Sequence, residues 1–202
     1  MKQKIEKLRQ YAIEYQSSKM YKHSIRVAKL SKKLAKMYGA DPQKAYYAGL
    51  AHDLCKEMDA DTIYKFAQTD GLPMEEIEKK KLKLLHGRAA AVLVQSFFHV
   101  DDAEIIEAIR YHTFGKAHMS TLAKIVYVAD KIEPKRKQVN KAYYRNLFEL
   151  KLDDMVRCVV QENMEYLKNK KKEVSFLTEN FLSSLNVDKK TACKKVNTDE
   201  QS

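Results

Sequence analysis

Apolar residues recur every three or four positions along almost all of this chain, the period of one face of an α-helix. Ile5, Leu8, Ala12 and Tyr15 share such a face and predict an opening amphipathic helix. Ser17 or Ser18 can cap a second helix, whose stripe carries His23, Val27, Leu30 and Leu34 and which should stop at Gly39. Asp41-Pro42 is a start signal, and the helix after it puts Ala45, Ala48, Gly49 and His52 on one face, small enough for another backbone to approach. Asp59 or Asp61 caps a short helix ending at Gly71, followed by Leu72-Pro73 and a lysine-rich connection over 78–83. Ala89, Ala90, Leu93, Val94 and Phe97 predict a helix from His86 to Phe98. Asp101-Asp102 caps the next, with Ile105, Ile109 and His112 in line. Ser120 or Thr121 caps another, with Ala123, Val126, Tyr127 and Asp130 sharing a face and Pro134 ending it. Val156, Val159, Val160 and Leu167, then Leu177, Phe181 and Leu185, read as one long helix or two. The expectation is an all-α fold with one helical domain over residues 1–185. Residues 186–202 are polar and read as a disordered tail.

Composition supports helix: the chain has 202 residues with only 5 Gly and 3 Pro. No apolar run approaches the roughly 18–20 residues that span a bilayer, and MKQKIEKLRQ lacks the apolar core of a signal peptide. Cys55, Cys158 and Cys193 are odd in number, far apart and form no CxxC pair, so a reduced cytoplasmic protein is expected. The net charge is +11, and four lysines against three acids leave the tail only +1 of it. The helical body therefore carries the positive field and should attract polyanions such as nucleotides, nucleic acid or acidic membrane.

Six metal-binding side chains then change the picture: His23, the adjacent pair His52-Asp53, His86, His112 and Asp130. All fall on stretches that read as helix. A single histidine on an apolar face is most often a core residue bonded to backbone. Here His23, His52, His112 and Asp130 each share a stripe with apolar residues, and burying four such groups unpartnered is costly. A bound cation removes that cost. Imidazole with carboxylate suits iron, manganese and zinc. Successive helical residues diverge by about 100°, so His52 and Asp53 meet a two-ion cluster only from its edge, the aspartate reaching between the ions. Two ions about 3.5–4 Å apart form the usual clamp for hydrolysing a phosphate ester or anhydride.

This order of residues resembles the HD superfamily of metal-dependent phosphohydrolases. The resemblance rests on Lys22-His23-Ser24-Ile25-Arg26-Val27, on Gly49-Leu50-Ala51-His52-Asp53-Leu54-Cys55-Lys56, on Leu85-His86-Gly87, and on Tyr111-His112-Thr113-Phe114-Gly115. Tyr127-Val128-Ala129-Asp130-Lys131-Ile132-Glu133-Pro134 with Lys135 and Arg136 completes it and is similar to the bacterial YqeK-type branch, the symmetrical bis(5'-nucleosyl)-tetraphosphatases. The similarity spans roughly residues 5–185. It implies one ion held by His23, His52, Asp53 and Asp130, and a second by Asp53, His86 and His112, with a water or hydroxide between them that attacks phosphorus. It further implies iron, with manganese or zinc as substitutes, and cleavage of diadenosine tetraphosphate into two ADP. The expected partners are thus a dinucleoside polyphosphate substrate and a nucleoside diphosphate product, with no membrane and no nucleic acid required.

Basic neighbours suit such a substrate. Arg26 follows His23 by about one turn and Lys56 follows His52 likewise, so both should point at the metal site, where an anion must offset them. Arg26 and Lys56 are accordingly read as catalytic together with His52 and Asp53, and as substrate-binding together with Lys131 and Arg136. Lys135 is as readily a solvated surface charge, His99 and His118 lie outside the metal pattern, and Asp101 and Asp102 are caps. The same metal site could instead serve a nucleotide phosphatase or a hydrolase of the alarmone guanosine tetraphosphate. A non-catalytic basic module for RNA or ribosome is the third reading, and it predicts no stoichiometric metal. Tyr46, Tyr47, Tyr143 and Tyr144 could furnish an aromatic surface for a homodimer.

Overall fold

A computed structural model describes residues 1–136, 141–186 and Cys193. Among these residues there are helices and turns and no strand, as the periodicity predicts. Helix α1 (Lys2–Tyr15) buries Leu8 and Ala12. Helix α2 (Ser18–Tyr38) is capped by Ser17 and closed by Gly39 in the left-handed conformation, at φ 74°. Helix α3 (Pro42–Ala51) starts on the Asp41 carboxylate, which accepts from the amides of Gln43 (2.7 Å) and Lys44 (3.1 Å). A cap of this kind is worth about 1 kcal/mol.

Helices α2 and α3 pack so closely that a Cβ on Gly49 would stand 2.9 Å from Ala28 Cα. Small residues here let two helix backbones touch, which brings His23 and His52 into one pocket. Helix α4 (Ala60–Gln68) follows, capped by Asp59. The lysine-rich stretch expected to be a plain connection instead holds helix α5 (Glu76–Lys80) and a 3-10 turn over Leu82–Leu85. Glu75 and Glu78 close a capping box there. Arg88 grips the preceding loop through Asp70 (2.6 and 2.9 Å) and the carbonyls of Leu72 and Pro73. Such tertiary anchors are not visible as periodicity.

Helix α6 runs over His86–Ser96, two residues shorter than predicted, and α7 over Ala103–Tyr111 from its Asp102 cap. Helix α8 (Thr121–Ile132) is capped by Ser120 and is the most enclosed element, with Ile125 to Ala129 wholly buried. The apolar pattern does not predict helix α9 (Lys141–Leu147). The final apolar pattern resolves into two helices, α10 (Leu152–Asn169) and α11 (Phe176–Ser183). No described helix is long and apolar enough to cross a membrane.

Two expectations need correction. Cys158 and Cys193 are joined in a disulfide, leaving buried Cys55 as the free thiol, so the three cysteines are not all reduced. The chain turns back through α11 over the 35-residue separation of the pair, which spacing alone does not reveal. Tyr47 and Tyr143 are buried in the core and cannot furnish a dimer surface, while Tyr46 and Tyr144 are half-buried against it. Apart from Cys193, the tail beyond residue 186 lies outside the described residues.

Candidate metal centre

The six expected side chains converge. His23 projects from the second turn of α2, His86 opens α6, and Asp130 lies in the last turn of α8. His52, Asp53 and His112 sit just beyond the ends of α3 and α7 rather than inside helices as predicted. Ending α3 at Ala51 lets Asp53 turn inward beside His52. That turn is clamped from α1 and α2: Gln16 donates to the Asp53 carbonyl (3.0 Å), and the Ser17 amide and hydroxyl donate to Glu57 (both 2.7 Å).

Asp53 is fully buried and its two oxygens face different ways. Oδ2 lies 3.2 Å from His52 Nε2 and 3.6 Å from His23 Nε2. Oδ1 lies 3.1 Å from His86 Nε2 and 3.3 Å from His112 Nε2. Asp130 Oδ1 joins the first group, 3.1 Å from His23 Nε2 and 3.7 Å from His52 Nε2. The donor atoms thus form two sets, His23–His52–Asp53–Asp130 and Asp53–His86–His112, each gathered within 4.8 Å. Asp53 is common to both.

The outer ring nitrogens show what the inner ones must be. Nδ1 of His52, His86 and His112 lies 2.8 Å from the carbonyls of Gly49, Lys83 and Ile109. A carbonyl only accepts, so each Nδ1 carries a proton, and each Nε2 presents a lone pair inward whenever it is not itself protonated. His23 Nδ1 is held by the Glu133 carboxylate (3.1 Å). Lone pairs therefore meet face to face: His86 and His112 Nε2 are 3.1 Å apart. His52 Nε2 and Asp53 Oδ1 are buried with no hydrogen-bond partner. Orphaned acceptors gathered this way need cations, and the donor set fits divalent metal. Gly87 permits the crowding, since a Cβ there would sit 3.0 Å from His112 Cε1 and from the Arg110 carbonyl.

Electrostatics agree. Burial disfavours charge on Asp53, but His52, His112 and His86 hold its carboxyl well below the usual range. Asp130 is lowered in the same way, against its burial, by Lys131, His23 and His52. Burial disfavours charge on His52 as well, yet Asp53 and Asp130 raise it to about 9. Burial, together with the repulsion of His52 and His86, pushes His112 down to about 3.

Lys56 donates to Asp53 Oδ2 (2.7 Å), Lys131 to Asp130 Oδ2 (3.0 Å), and Arg136 to Asp130 Oδ1. These three cations border the centre and line one cleft with His23, Asp130 and Arg26. Arg26 is already paired, forming a two-pronged bond to Glu133 (2.6 and 3.0 Å). The anion expected to offset it is thus the protein's own Glu133 rather than a polyphosphate. Despite burial, His23 and Arg26 lower the Glu133 carboxyl to about 2. Sequence reasoning missed Glu133, although it follows Asp130 by three residues, one helical repeat that can aim both at His23. It also missed Thr113, whose hydroxyl lies 3.4 Å from both His86 and His112 Nε2. Lys135, His99 and His118 do not join the cluster of ligands.

A helical shell closing four imidazoles and Asp130 around a shared Asp53 is the plan of a metal-dependent hydrolase, and residues 20–135 match the HD domain family, to which the chain belongs. It is 36% identical over 132 residues to the symmetrical bis(5'-nucleosyl)-tetraphosphatase of Staphylococcus aureus, covering 65% of this chain and 68% of that one. It is 34% identical over 167 residues to the protein of the same name from Bacillus subtilis, covering 81% and 89%. Among solved structures it is similar to an HD superfamily hydrolase described as involved in NAD metabolism from Clostridium acetobutylicum, with a TM-score of 0.82 and 28% identity over 89% of this chain and 95% of that one.

Proposed function

We propose that this protein is a symmetrical bis(5'-nucleosyl)-tetraphosphatase, hydrolysing the central anhydride of diadenosine tetraphosphate to two ADP. The observation that carries the reading is the division of Asp53, one oxygen to each histidine pair, beneath a cleft bordered by Lys56, Lys131 and Arg136. The names of the two tetraphosphatase relatives support the substrate. The metal pair is read as iron, with manganese or zinc able to replace it on ligand type. When bound, it supplies an activated water and neutralises charge on the phosphate under attack.

The chain's own contribution is orientation. The carbonyls of Gly49, Lys83 and Ile109 fix three imidazoles with Nε2 inward, and Glu133 fixes the fourth. Lys56, Lys131 and Arg136 rest on the carboxylates of Asp53 and Asp130. With metal on those carboxylates, the three side chains would be placed to meet the phosphoryl oxygens of a bound substrate. Arg26 works from behind, holding Glu133. The departing nucleoside diphosphate is a stable anion and needs no proton from a side chain. The test is metal-loaded protein, prepared anaerobically, incubated with diadenosine tetraphosphate, a dNTP and guanosine tetraphosphate. Release of two ADP, with the other substrates slower by orders of magnitude, is expected. Preferential release of phosphate from dNTP or of pyrophosphate from guanosine tetraphosphate would replace this substrate with another.

A further inference from the structure

The cleft does not end at the metal ligands. It measures ≈ 1230 Å³, more than a site for one small molecule needs, and helix α10 forms its far wall. Val159, Asn163, Tyr166 and Lys170 all line it, at helical spacing along a single face of α10 and its C-terminal cap. Val159 is 2% exposed, whereas Tyr166 is 54% exposed, so the wall leads from the core to solvent. At 1.5 Å per residue these two positions are about 10 Å apart along the helix axis. Helix α10 packs against α8, the helix that carries Asp130. Tyr166 thus lines the same cleft as Asp130, from the helix packed against α8.

A large aromatic ring left half in water, on the wall of a basic cleft, offers a face for stacking. Lys170 follows it by one turn, Lys172 ends the same wall, and Lys81 lines the cleft as well. Of the acids that line it, Glu173 is paired with Lys80 (3.1 Å) and Glu133 with Arg26 (2.6 Å). We propose that Tyr166 is the platform for the second nucleobase of a dinucleoside polyphosphate, with Lys170 and Lys172 beside its ribose and phosphate. The proposal rests on the substrate reading above and deepens it, because it gives the leaving half of the molecule a site of its own. The centre holds the phosphorus under attack, and the far arm of the cleft sets the length of substrate that fits.

Tyr166→Ala and Tyr166→Phe, loaded with metal, would be compared with the unaltered protein on diadenosine tetraphosphate and on adenosine 5'-tetraphosphate, which has one base only. Loss of a stacked base predicts a KM for the two-base substrate raised roughly tenfold in the alanine variant. Its kcat and its turnover of the one-base substrate should be unchanged, with Phe restoring the KM. An alanine variant equal to the unaltered protein on both substrates removes the subsite while leaving the proposed function intact. Equal losses on both substrates also overturn it, since a structural defect does not distinguish bases. Unaltered protein inert toward the two-base substrate ends the functional reading, and the subsite with it.

Discussion

Asp53 is the residue on which the centre turns, because its two oxygens serve separate histidine pairs from a fully buried position. Asp53→Ala should abolish both hydrolysis and metal content while circular dichroism shows the helices intact, since its backbone contacts survive. Near-normal turnover in that variant would reject the dinuclear mechanism. Glu133 acts one step further out. Its carboxylate holds the outer ring nitrogen of His23, where the other three histidines use carbonyls. Glu133→Gln keeps the shape and removes the charge behind His23. Affinity for the metal held by His23 should fall about 10–100-fold, read by competition with a chromogenic chelator. An unchanged affinity would reduce Glu133 to a partner of Arg26.

At the scale of elements, the close crossing of α2 and α3 places His23 against His52, with ring centroids 5.3 Å apart. Gly49→Ala would put a methyl 2.9 Å from the Ala28 backbone, which has no flexible end to yield. The expected cost is about 1–3 kcal/mol of stability in urea unfolding, with metal loosened as the helices part. A variant as stable and as metal-retentive as the parent would show that the crossing has slack. The small face Ala45-Ala48-Gly49 made this contact legible in the sequence, and of the cap candidates offered there Ser17, Asp41, Asp59, Asp102 and Ser120 are the ones that form. The ligand set was legible because imidazoles on apolar stripes are carried into the core, where a lone pair without a partner is too costly to keep. The features without a sequence signal depend on distant pairing or on acids scattered among lysines. Helix α5 is stabilised by a capping box of acids within a lysine-rich run, Glu133 is recruited by His23 from 110 residues away, and Cys193 meets Cys158 after a chain reversal. Apart from the three-residue step from Asp130 to Glu133, none of these leaves a periodic trace.

Across the whole molecule, protons and metal compete for one pocket. His52 is raised from 6.5 to about 9, so in the stripped protein its stabilising charge is full below pH 6.5 and fades as pH climbs through 9. His112, lowered to about 3, is neutral throughout this window and has no proton to surrender; it destabilises only as pH falls from 6.5 toward 3. Metal must take the His52 lone pair, so loading between pH 6.5 and 9 should expel about one proton from that ring. Affinity should therefore strengthen with pH up to about 9 and then level. Stripped protein loses stability over the same interval in which loaded protein binds its ions more tightly, so the difference in Tm between them should widen from pH 6.5 to 9. Calorimetric titration of the stripped protein at about pH 7.5, in two buffers of different ionisation enthalpy, counts the protons released. A count near zero, with an affinity independent of pH, would mean that His52 is already neutral and that the carboxylates alone govern the charge of the empty pocket.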